Sequence, residues 1–206
     1  MLLFKQKISN FNLTKEKILL PKTVIAIAGP PMTGKSTLGQ KLAEKTGFTF
    51  IDIDEGPAKC APKILSLDVS SSTEKERIYE QMRMGIAYEV MHSAVAANLS
   101  NGFSVIVVAP YSRNTGWHFL QAAVKNGSGN LKIVHCTFHD TPEEIERRII
   151  NRQNSGYAGT VHSAATYLEV KERYAEIESP HITVCVDGGD EGLKKAVDEV
   201  LEYASK

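Results

Sequence analysis

The segment from Gly29 to Ser36 has the residue types and spacing of a phosphate-binding loop. Its sequence, GPPMTGKS, matches the pattern G-x-x-x-x-G-K-[ST], with glycines at the first and sixth positions followed by Lys35 and Ser36. The glycines allow successive backbone N–H groups to point inward at phosphate oxygens. The lysine ammonium can reach the β- and γ-phosphates, and the serine hydroxyl can ligate Mg²⁺. The residues assigned to nucleotide binding are Gly29, Pro30, Pro31, Met32, Thr33, Gly34, Lys35, Ser36 and Thr37.

The sequence on either side of the loop predicts the strand and the helix that the motif requires. TVIAIA, at 23–28, is a β-branched strand pattern, and STLGQKLAEKTG is a helical pattern ending at Gly47. The alternative is that the motif arose by chance. From average residue usage, a chance match in a chain of this length has a probability on the order of one per cent or less. The strand–loop–helix context favours a functional loop.

Five apolar runs recur along the chain, at 23–28, 48–52, 103–109, 131–138 and 181–187. Near-continuous apolar runs are typical of parallel strands covered on both faces. Helices are predicted between them, at 73–98, from Thr141-Pro142, at 163–178 and at 191–204. The order predicts an α/β fold, a doubly wound three-layer α/β/α structure with a five-stranded parallel sheet. Residues 1–21 are interpreted as an N-terminal arm, and residues 22–206 as one domain.

Composition limits the classes of partner. The chain has 206 residues, with 24 basic and 24 acidic side chains, so we expect no broad electrostatic grip on nucleic acid or on a membrane. No apolar run approaches the roughly 20 residues of a membrane span. Cys60, Cys136 and Cys185 are unclustered, which is typical of a reducing compartment and predicts a cytoplasmic protein. Cys136 and Cys185 are predicted to be buried strand residues.

Two pairs of charged residues are candidates for chemistry. Asp52 and Asp54, in FIDID, follow the second strand at the sheet edge where ligands gather, and alternation would point both carboxylates the same way. Arg148 and Arg152, in ERRIINR, are four residues apart and share a helix face. The alternatives are a solvated pair of loop-capping acids and a solvated, ion-paired helix. The six histidines are scattered, and no metal pair is expected of His135 and His139.

With these motifs in order, residues 23–204 resemble the P-loop small-molecule kinases, the group of gluconate, shikimate and nucleoside monophosphate kinases. The segments that carry the resemblance are the Gly29–Thr37 loop, FIDIDEG, LSNGFSVIVVAPYSR, TPEEIERRIINR and VDGGDEGLKKAVDEVL. The resemblance implies the P-loop NTPase fold, ATP and Mg²⁺ as cofactors, and a small-molecule acceptor.

The resemblance also implies residue roles. Asp54 would orient or deprotonate the attacking hydroxyl, and Asp52 would help Ser36 hold the metal. Lys35, Arg148 and Arg152 would act on the transferring phosphoryl group. The arginines would belong to a mobile lid around 142–162. Arg113, after the third strand, would contact the substrate, although a surface ion pair is the alternative. The acceptor pocket is expected from Gly56–Thr73 and the start of the next helix, and the VDGGD turn resembles the segment that borders the adenine ring.

One departure from the family pattern leaves the activity open. Many P-loop proteins place a Mg²⁺-associated acid at the end of the third strand, but this chain reads Val108-Ala109-Pro110 there. The leading hypothesis is an ATP-dependent phosphotransferase that acts on a hydroxyl or phosphate of a small molecule. The alternative is a nucleotide-binding regulatory or scaffold protein with little turnover. A polynucleotide-end kinase would need a basic groove that the neutral composition does not indicate.

Overall fold

The fold alternates strands with helices along the chain. The structure, a computed structural model, describes residues 22–60, 73–156 and 161–206, without the side chains of residues 73–77, 79 and 80. Its elements are β1 (Thr23–Ala28), α1 (Lys35–Thr46), β2 (Thr49–Asp52), α2 (Thr73–Ser100), β3 (Val105–Val108), α3 (Asn114–Asn126), β4 (Asn130–Thr137), α4 (Pro142–Asn154), α5 (Ala164–Glu172), β5 (His181–Cys185) and α6 (Gly189–Ala204).

The five strands form one parallel sheet in the order β2-β3-β1-β4-β5. The predicted fold class is therefore confirmed, and each strand overlaps the apolar run that predicts it. The carboxyl ends of β1 and its two neighbours lie at the same sheet edge, as in other open α/β sheets. The register between β2 and β3 places Asp52 directly opposite Val108. The Asp52 carboxylate thus lies beside the end of β3, where the sequence Val108-Ala109-Pro110 has no acidic residue.

Both faces of the sheet are buried, which explains the near-continuous apolar runs. On one face, Val24 and Ala26 of β1 pack with residues of α2 and α3, including Met91 and Leu120. On the other face, the intervening β1 residues pack against α1 and α6. A smaller cluster, formed by Phe138, Ile145, Ile149, Val161 and Tyr167, joins α4 and α5 to the end of β4. The result is the predicted three-layer arrangement.

One helix is shorter than the sequence predicts, and another is not predicted from the sequence. The helix predicted at 163–178 ends at Glu172. Residues 174–178 have no regular secondary structure: the Ala175 N–H donates to the Ser112 carbonyl at 3.1 Å, and Ile177 packs against the core. Helix α3 was not delimited from sequence. It has a glycine in its first turn, and its N-cap, Arg113, makes no side-chain capping bond.

Two local expectations were wrong. Asp54 does not continue the alternation of β2, since that strand ends at Asp52 and residues 53–56 form a turn. Ile53 is instead buried in the core, and it is the turn that carries Asp54 toward the sheet edge. Cys185 is exposed rather than buried, whereas Cys136 is fully buried as expected.

Some predictions fall on residues outside the described ranges. These are the N-terminal arm at 1–21, most of the Gly56–Thr73 segment, and residues 157–160 within the lid region. Over the residues that the structure describes, every helix is either too short or too polar to cross a membrane.

Candidate functional site

The loop between β1 and α1 has the backbone conformation that its glycines allow. Gly29 has φ +139°, and a Cβ there would lie 2.3 Å from the carbonyl oxygen of Cys136. Gly34 has φ +87° and is the N-cap of α1. Met32, with φ +66°, is one of the few non-glycine residues in this left-handed region. Only glycine fits the first of these positions, because the β4 backbone runs directly beside it.

Helix α1 begins inside the loop with its N-terminal N–H groups available to an anion. Its N-cap, Gly34, makes no side-chain capping bond, and its first turn contains no acidic residue. Helix α4, in contrast, is capped by Thr141 and has acidic residues in its first turn. An uncapped helix start carries partial positive charge and unpaired donors. The start of α1 therefore has the properties of a phosphate-binding site.

Lys35 folds back across the loop. Its Nζ donates to the Pro30 carbonyl oxygen at 2.5 Å and lies 3.5 Å from Thr33 Oγ1. Burial lowers the pKa of Lys35 to about 8, although Cys136, Asp54 and Asp52 act in the opposite direction. A phosphate group beside the ammonium would offset the loss of solvation and raise that pKa again.

Two side chains from distant parts of the chain donate hydrogen bonds to carbonyl oxygens of the loop. The Cys136 thiol donates to the Thr33 carbonyl at 3.1 Å. The Arg148 guanidinium donates to the Met32 carbonyl at 2.7 Å. Each bond satisfies a backbone carbonyl oxygen of the loop and ties the loop to β4 or α4. Neither contact was predicted from sequence, because Cys136 and Arg148 are more than 100 positions away along the chain.

Arg148 is fixed by more than one partner. It donates to Glu144 at 2.5 Å, to the Val186 carbonyl at 2.8 Å and to Asp187 at 2.7 Å. Its guanidinium also lies over the ring of Phe138, 4.3 Å from the centroid. The side chain is only 13% exposed. Arg148 therefore joins α4, the phosphate-binding loop and the end of β5.

The two carboxylates of FIDID lie in different environments. Asp52 is 5% exposed and its Oδ1 accepts the Asp54 N–H at 3.0 Å. Asp54 keeps an exposed face, but burial and the adjacent Asp52 carboxylate raise its pKa, against the opposing charges of Lys35, Arg83 and Arg152. The Asp52 and Asp54 carboxylates both act to raise the pKa of Lys35, so both acids lie near the loop lysine.

The other two predicted arginines lie in different surroundings. Arg152 is partly buried in the last turn of α4, close enough to Lys35 and Asp54 to affect the pKa of each. Arg113 is exposed after β3, at the mouth of a cleft. The structure thus brings Arg152 close to Lys35 and Asp54 and places Arg113 in the lining of the cleft.

The cleft has a volume of about 770 Å³. Its walls are one face of α2 between Gln81 and His92, residues 110–113 after β3 and the first turns of α3. The Gly29 N–H donates to the Pro110 carbonyl at 3.4 Å, so the cleft adjoins the phosphate-binding loop. Asp54 also influences Tyr88, which lines the cleft. The expected acceptor pocket at Gly56–Thr73 falls largely on residues outside the described ranges, and the observed cleft lies farther along α2.

An aromatic cluster, which the sequence did not indicate, forms the cleft floor. Tyr111 stacks on Trp117 with 4.2 Å between centroids, and its N–H donates to the Tyr88 hydroxyl at 3.0 Å. His92 Nε2 lies 3.2 Å from the Tyr111 hydroxyl. Burial lowers the pKa of His92 to about 4 and raises that of Tyr88 to about 12. The cluster is therefore uncharged at neutral pH.

A comparison with protein families gives a match that includes the phosphate-binding loop. A family model described as AAA domain matches residues 24–177. The chain belongs to this family, and its all-parallel five-stranded sheet with flanking helices is the fold of P-loop kinases.

Solved structures share the fold at low sequence identity. A protein from Chloroflexus aurantiacus that carries a provisional kinase assignment has a TM-score of 0.64 and 20% identity, over 89% of this chain and 98% of that one. A gluconokinase from Sinorhizobium meliloti has a TM-score of 0.54 and 16% identity, over 89% and 91%. Kti12 from Chaetomium thermophilum, in complex with ADP-AlF3, has a TM-score of 0.51 and 13% identity, over 89% and 100%. At such identities the likeness concerns the fold.

One curated relative is similar over a short stretch. It is an adenylate kinase isoenzyme 6 homolog from Caenorhabditis elegans, 58% identical over 31 residues, which are 15% of this chain. The matched stretch spans 17% of that relative's length. A match of this length shows that the two chains share a short motif. It does not show that they share an activity.

Proposed function

We propose that this protein is a Mg²⁺- and ATP-dependent phosphotransferase that phosphorylates a hydroxyl or a phosphate on a small molecule. The observation that carries the proposal is the position of Lys35. Lys35 is the first residue of α1, whose N-terminus has no side-chain cap, and it lies in the phosphate-binding loop. The Asp54 carboxylate is close enough to act on its pKa, and a cleft of about 770 Å³ adjoins the loop. Donor loop, acidic group and acceptor space are thus adjacent, as phosphoryl transfer requires.

Asp54 is the proposed orienting or basic group. Burial and Asp52 raise its pKa, which improves a carboxylate as a proton acceptor near neutral pH. It lies close enough to Tyr88, which lines the cleft, to affect the pKa of that tyrosine. An acceptor hydroxyl in the cleft would therefore approach the γ-phosphate along the side on which Asp54 lies. A general base in this position contributes about 10²–10⁴-fold in rate.

The residues at the start of α1 and the end of β2 fit Mg²⁺. Ser36 is exposed at the helix start and Asp52 offers a carboxylate, so the donors are oxygens only, as Mg²⁺ prefers. Asp52 stands opposite Val108 in the register, so it supplies the acid that the third strand lacks. A bound Mg²⁺ would neutralise charge on the phosphates.

We propose different roles for the two α4 arginines. Arg152 acts on the transferring phosphoryl group, since it lies near both Lys35 and Asp54. Arg148 positions the loop through the Met32 carbonyl, and its bonds to Glu144 and Asp187 hold it there. The mobile part of the lid proposed around 142–162 is then the part that follows Arg148, because Arg148 itself is held by these bonds.

The acceptor is proposed to bind in the cleft beside Arg113. The exposed guanidinium lies at the mouth, where it can pair with an anionic group of the acceptor. Neutral Tyr88, Tyr111 and His92 make the floor suited to uncharged parts of that molecule. We also propose a cytoplasmic location, because three widely spaced cysteines are typical of a reducing compartment.

A second candidate is a nucleotide-binding regulator with little turnover. It is favoured by the apolar end of β3, Val108-Ala109-Pro110, where many P-loop enzymes carry an acid. The Kti12 structure in complex with ADP-AlF3 has the same fold and supports nucleotide binding in either case.

The deciding experiment measures ADP formed from Mg·ATP across a library of small metabolites, with products identified by mass spectrometry. The kinase proposal expects acceptor-dependent ADP and a product heavier by one phosphate, both lost in Lys35→Ala. Saturable nucleotide binding without turnover on any acceptor would favour the regulator. Absence of nucleotide binding by folded protein would contradict both.

A further inference from the structure

Three metal-ligating side chains converge on the side of the sheet edge near β5. His139 lies in the loop after β4, Cys185 is the last residue of β5, and Asp187 precedes α6. Asp187 Oδ2 lies 2.5 Å from His139 Nδ1 and 3.2 Å from the Cys185 sulfur, and the sulfur lies 3.6 Å from the same His139 nitrogen. One potential ligand atom from each residue therefore faces the same point.

These separations are close to those of ligands that share a small metal ion. With Zn–N near 2.0 Å and Zn–S near 2.3 Å, tetrahedral angles put neighbouring ligand atoms about 3.3–3.5 Å apart. The two distances that involve sulfur already have about this length. The third, between His139 and Asp187, must lengthen by under about 1 Å. The His139 side chain is 81% exposed and can rotate to allow it.

The carboxylate in this cluster is already oriented. Asp187 Oδ1 accepts from Arg148 at 2.7 Å, and Oδ2 accepts the backbone N–H of His139 at 2.6 Å. Such contacts fix a ligand and leave one oxygen lone pair for a cation. The imidazole is exposed to solvent, so an ion can reach the cluster from that side, and water can take a fourth position. The cluster thus combines a fixed ligand with two adjustable ones.

We propose that His139, Cys185 and Asp187 form a binding site for a borderline-soft divalent cation such as Zn²⁺, distinct from the site for Mg²⁺ with nucleotide. Sulfur and imidazole ligands select Zn²⁺ or Co²⁺ over Mg²⁺, which takes oxygen ligands. Binding releases the thiol proton to solvent. Arg148 donates both to Asp187 and to the Met32 carbonyl, so its side chain connects the ion site to the phosphate-binding loop.

The test titrates Co²⁺ into the full chain and records the thiolate-to-cobalt charge-transfer band in the near ultraviolet. The expected result is a band that saturates at one ion per chain, disappears on addition of Zn²⁺ and persists with excess Mg²⁺. Cys185→Ser should abolish the band, and His139→Ala should weaken binding about tenfold or more. Both residues are exposed, so the variants are expected to fold, which circular dichroism checks.

Cys60→Ser is the matched control, because Cys60 is also an exposed thiol but lies outside the cluster. It should leave the band and the stoichiometry unchanged. Absence of a band in the wild-type chain would mean that the three residues form only a hydrogen-bonded group, and would overturn the proposal. A band that survives Cys185→Ser, or that is lost in Cys60→Ser, would overturn it as well. None of these results depends on nucleotide binding.

Discussion

The Arg148 guanidinium and the Met32 carbonyl oxygen are joined by a hydrogen bond of 2.7 Å, although the residues lie 116 positions apart. Met32 has φ +66°, an unfavourable conformation for a residue with a Cβ. The bond helps to hold that conformation and with it the curvature of the loop. Because Arg148 also bonds to the Val186 carbonyl and to Asp187, the loop is tied to the end of β5.

Replacing Arg148 with Lys should therefore destabilise the loop rather than only slow the chemistry. A lysine can satisfy one of the four partners, so we expect a loss on the order of 2–3 kcal/mol in the free energy of unfolding and weaker nucleotide binding. Denaturant unfolding and calorimetry measure the two effects.

The control is Arg147→Lys. Arg147 is adjacent, bonds to the same Glu144, and is 58% exposed, so its replacement should change stability by well under about 1 kcal/mol. Equal effects of the two substitutions would contradict the positioning role of Arg148.

The depressed pKa of Lys35 predicts pH-dependent nucleotide binding. Burial lowers that pKa to about 8 in the free protein, and triphosphate oxygens would raise it in the complex. Affinity should then be fully present below about pH 8 and fall as pH rises above it, by up to about tenfold per unit. Calorimetry with Mg·ATP from pH 7 to about pH 9.5 measures this dependence.

Lys35→Arg is the control, because it keeps the positive charge at this position but removes a group that titrates near pH 8. The arginine stays protonated over this range, so any nucleotide affinity that remains should not vary with pH. A slope that persists unchanged in this variant would mean that another group titrates.

The fold was predictable because its signals are local. Parallel strands buried on both faces leave apolar runs, and the loop motif is contiguous from Gly29 to Ser36. The partners of the site are not local. Arg148 is a charged residue on an amphipathic helix, and only the packing of α4 against Phe138 brings it to the loop. The Tyr88–Tyr111 contact likewise depends on how α2 crosses the end of β3.

Gly29→Ala tests the loop conformation that the sequence motif requires. The added Cβ would lie 2.3 Å from the Cys136 carbonyl oxygen at φ +139°, so the loop must move away from β4. We expect a loss of more than about 2 kcal/mol in stability and no measurable ATP binding.

Gly47→Ala is the matched control. It also has a positive φ, +72°, but nothing lies within 4 Å of its Cβ position, and the residue follows the far end of α1. It should cost about 1 kcal/mol and leave ATP affinity intact. Preserved ATP binding in Gly29→Ala would show that the loop does not hold phosphate in this conformation.

Gly85 offers a way to fill the cleft without touching the nucleotide. It lines the cleft in the middle of α2, and nothing lies within 4 Å of its Cβ position. Gly85→Phe should block the acceptor and raise its KM at least about tenfold, while the ATP affinity stays unchanged. Steady-state kinetics with the acceptor found by the metabolite screen provides the measurement.

Gly85→Ala controls for the helix itself. It should stabilise α2 by about 0.5–1 kcal/mol and leave the cleft open. If phenylalanine and alanine alter acceptor KM equally, the cleft is not the acceptor site.

Asp54→Asn separates catalysis from binding. The amide keeps the size of the side chain and loses the proton acceptor, so turnover should fall about 10²–10⁴-fold while ATP affinity changes little. Asp52→Asn is the comparison, because that buried carboxylate is proposed to hold Mg²⁺ and already accepts the Asp54 N–H. Its replacement should raise the Mg²⁺ concentration needed for half-maximal activity. Since kcat and the magnesium requirement are measured separately, a variant of Asp54 that loses ATP affinity and turnover equally would assign that residue to nucleotide binding instead.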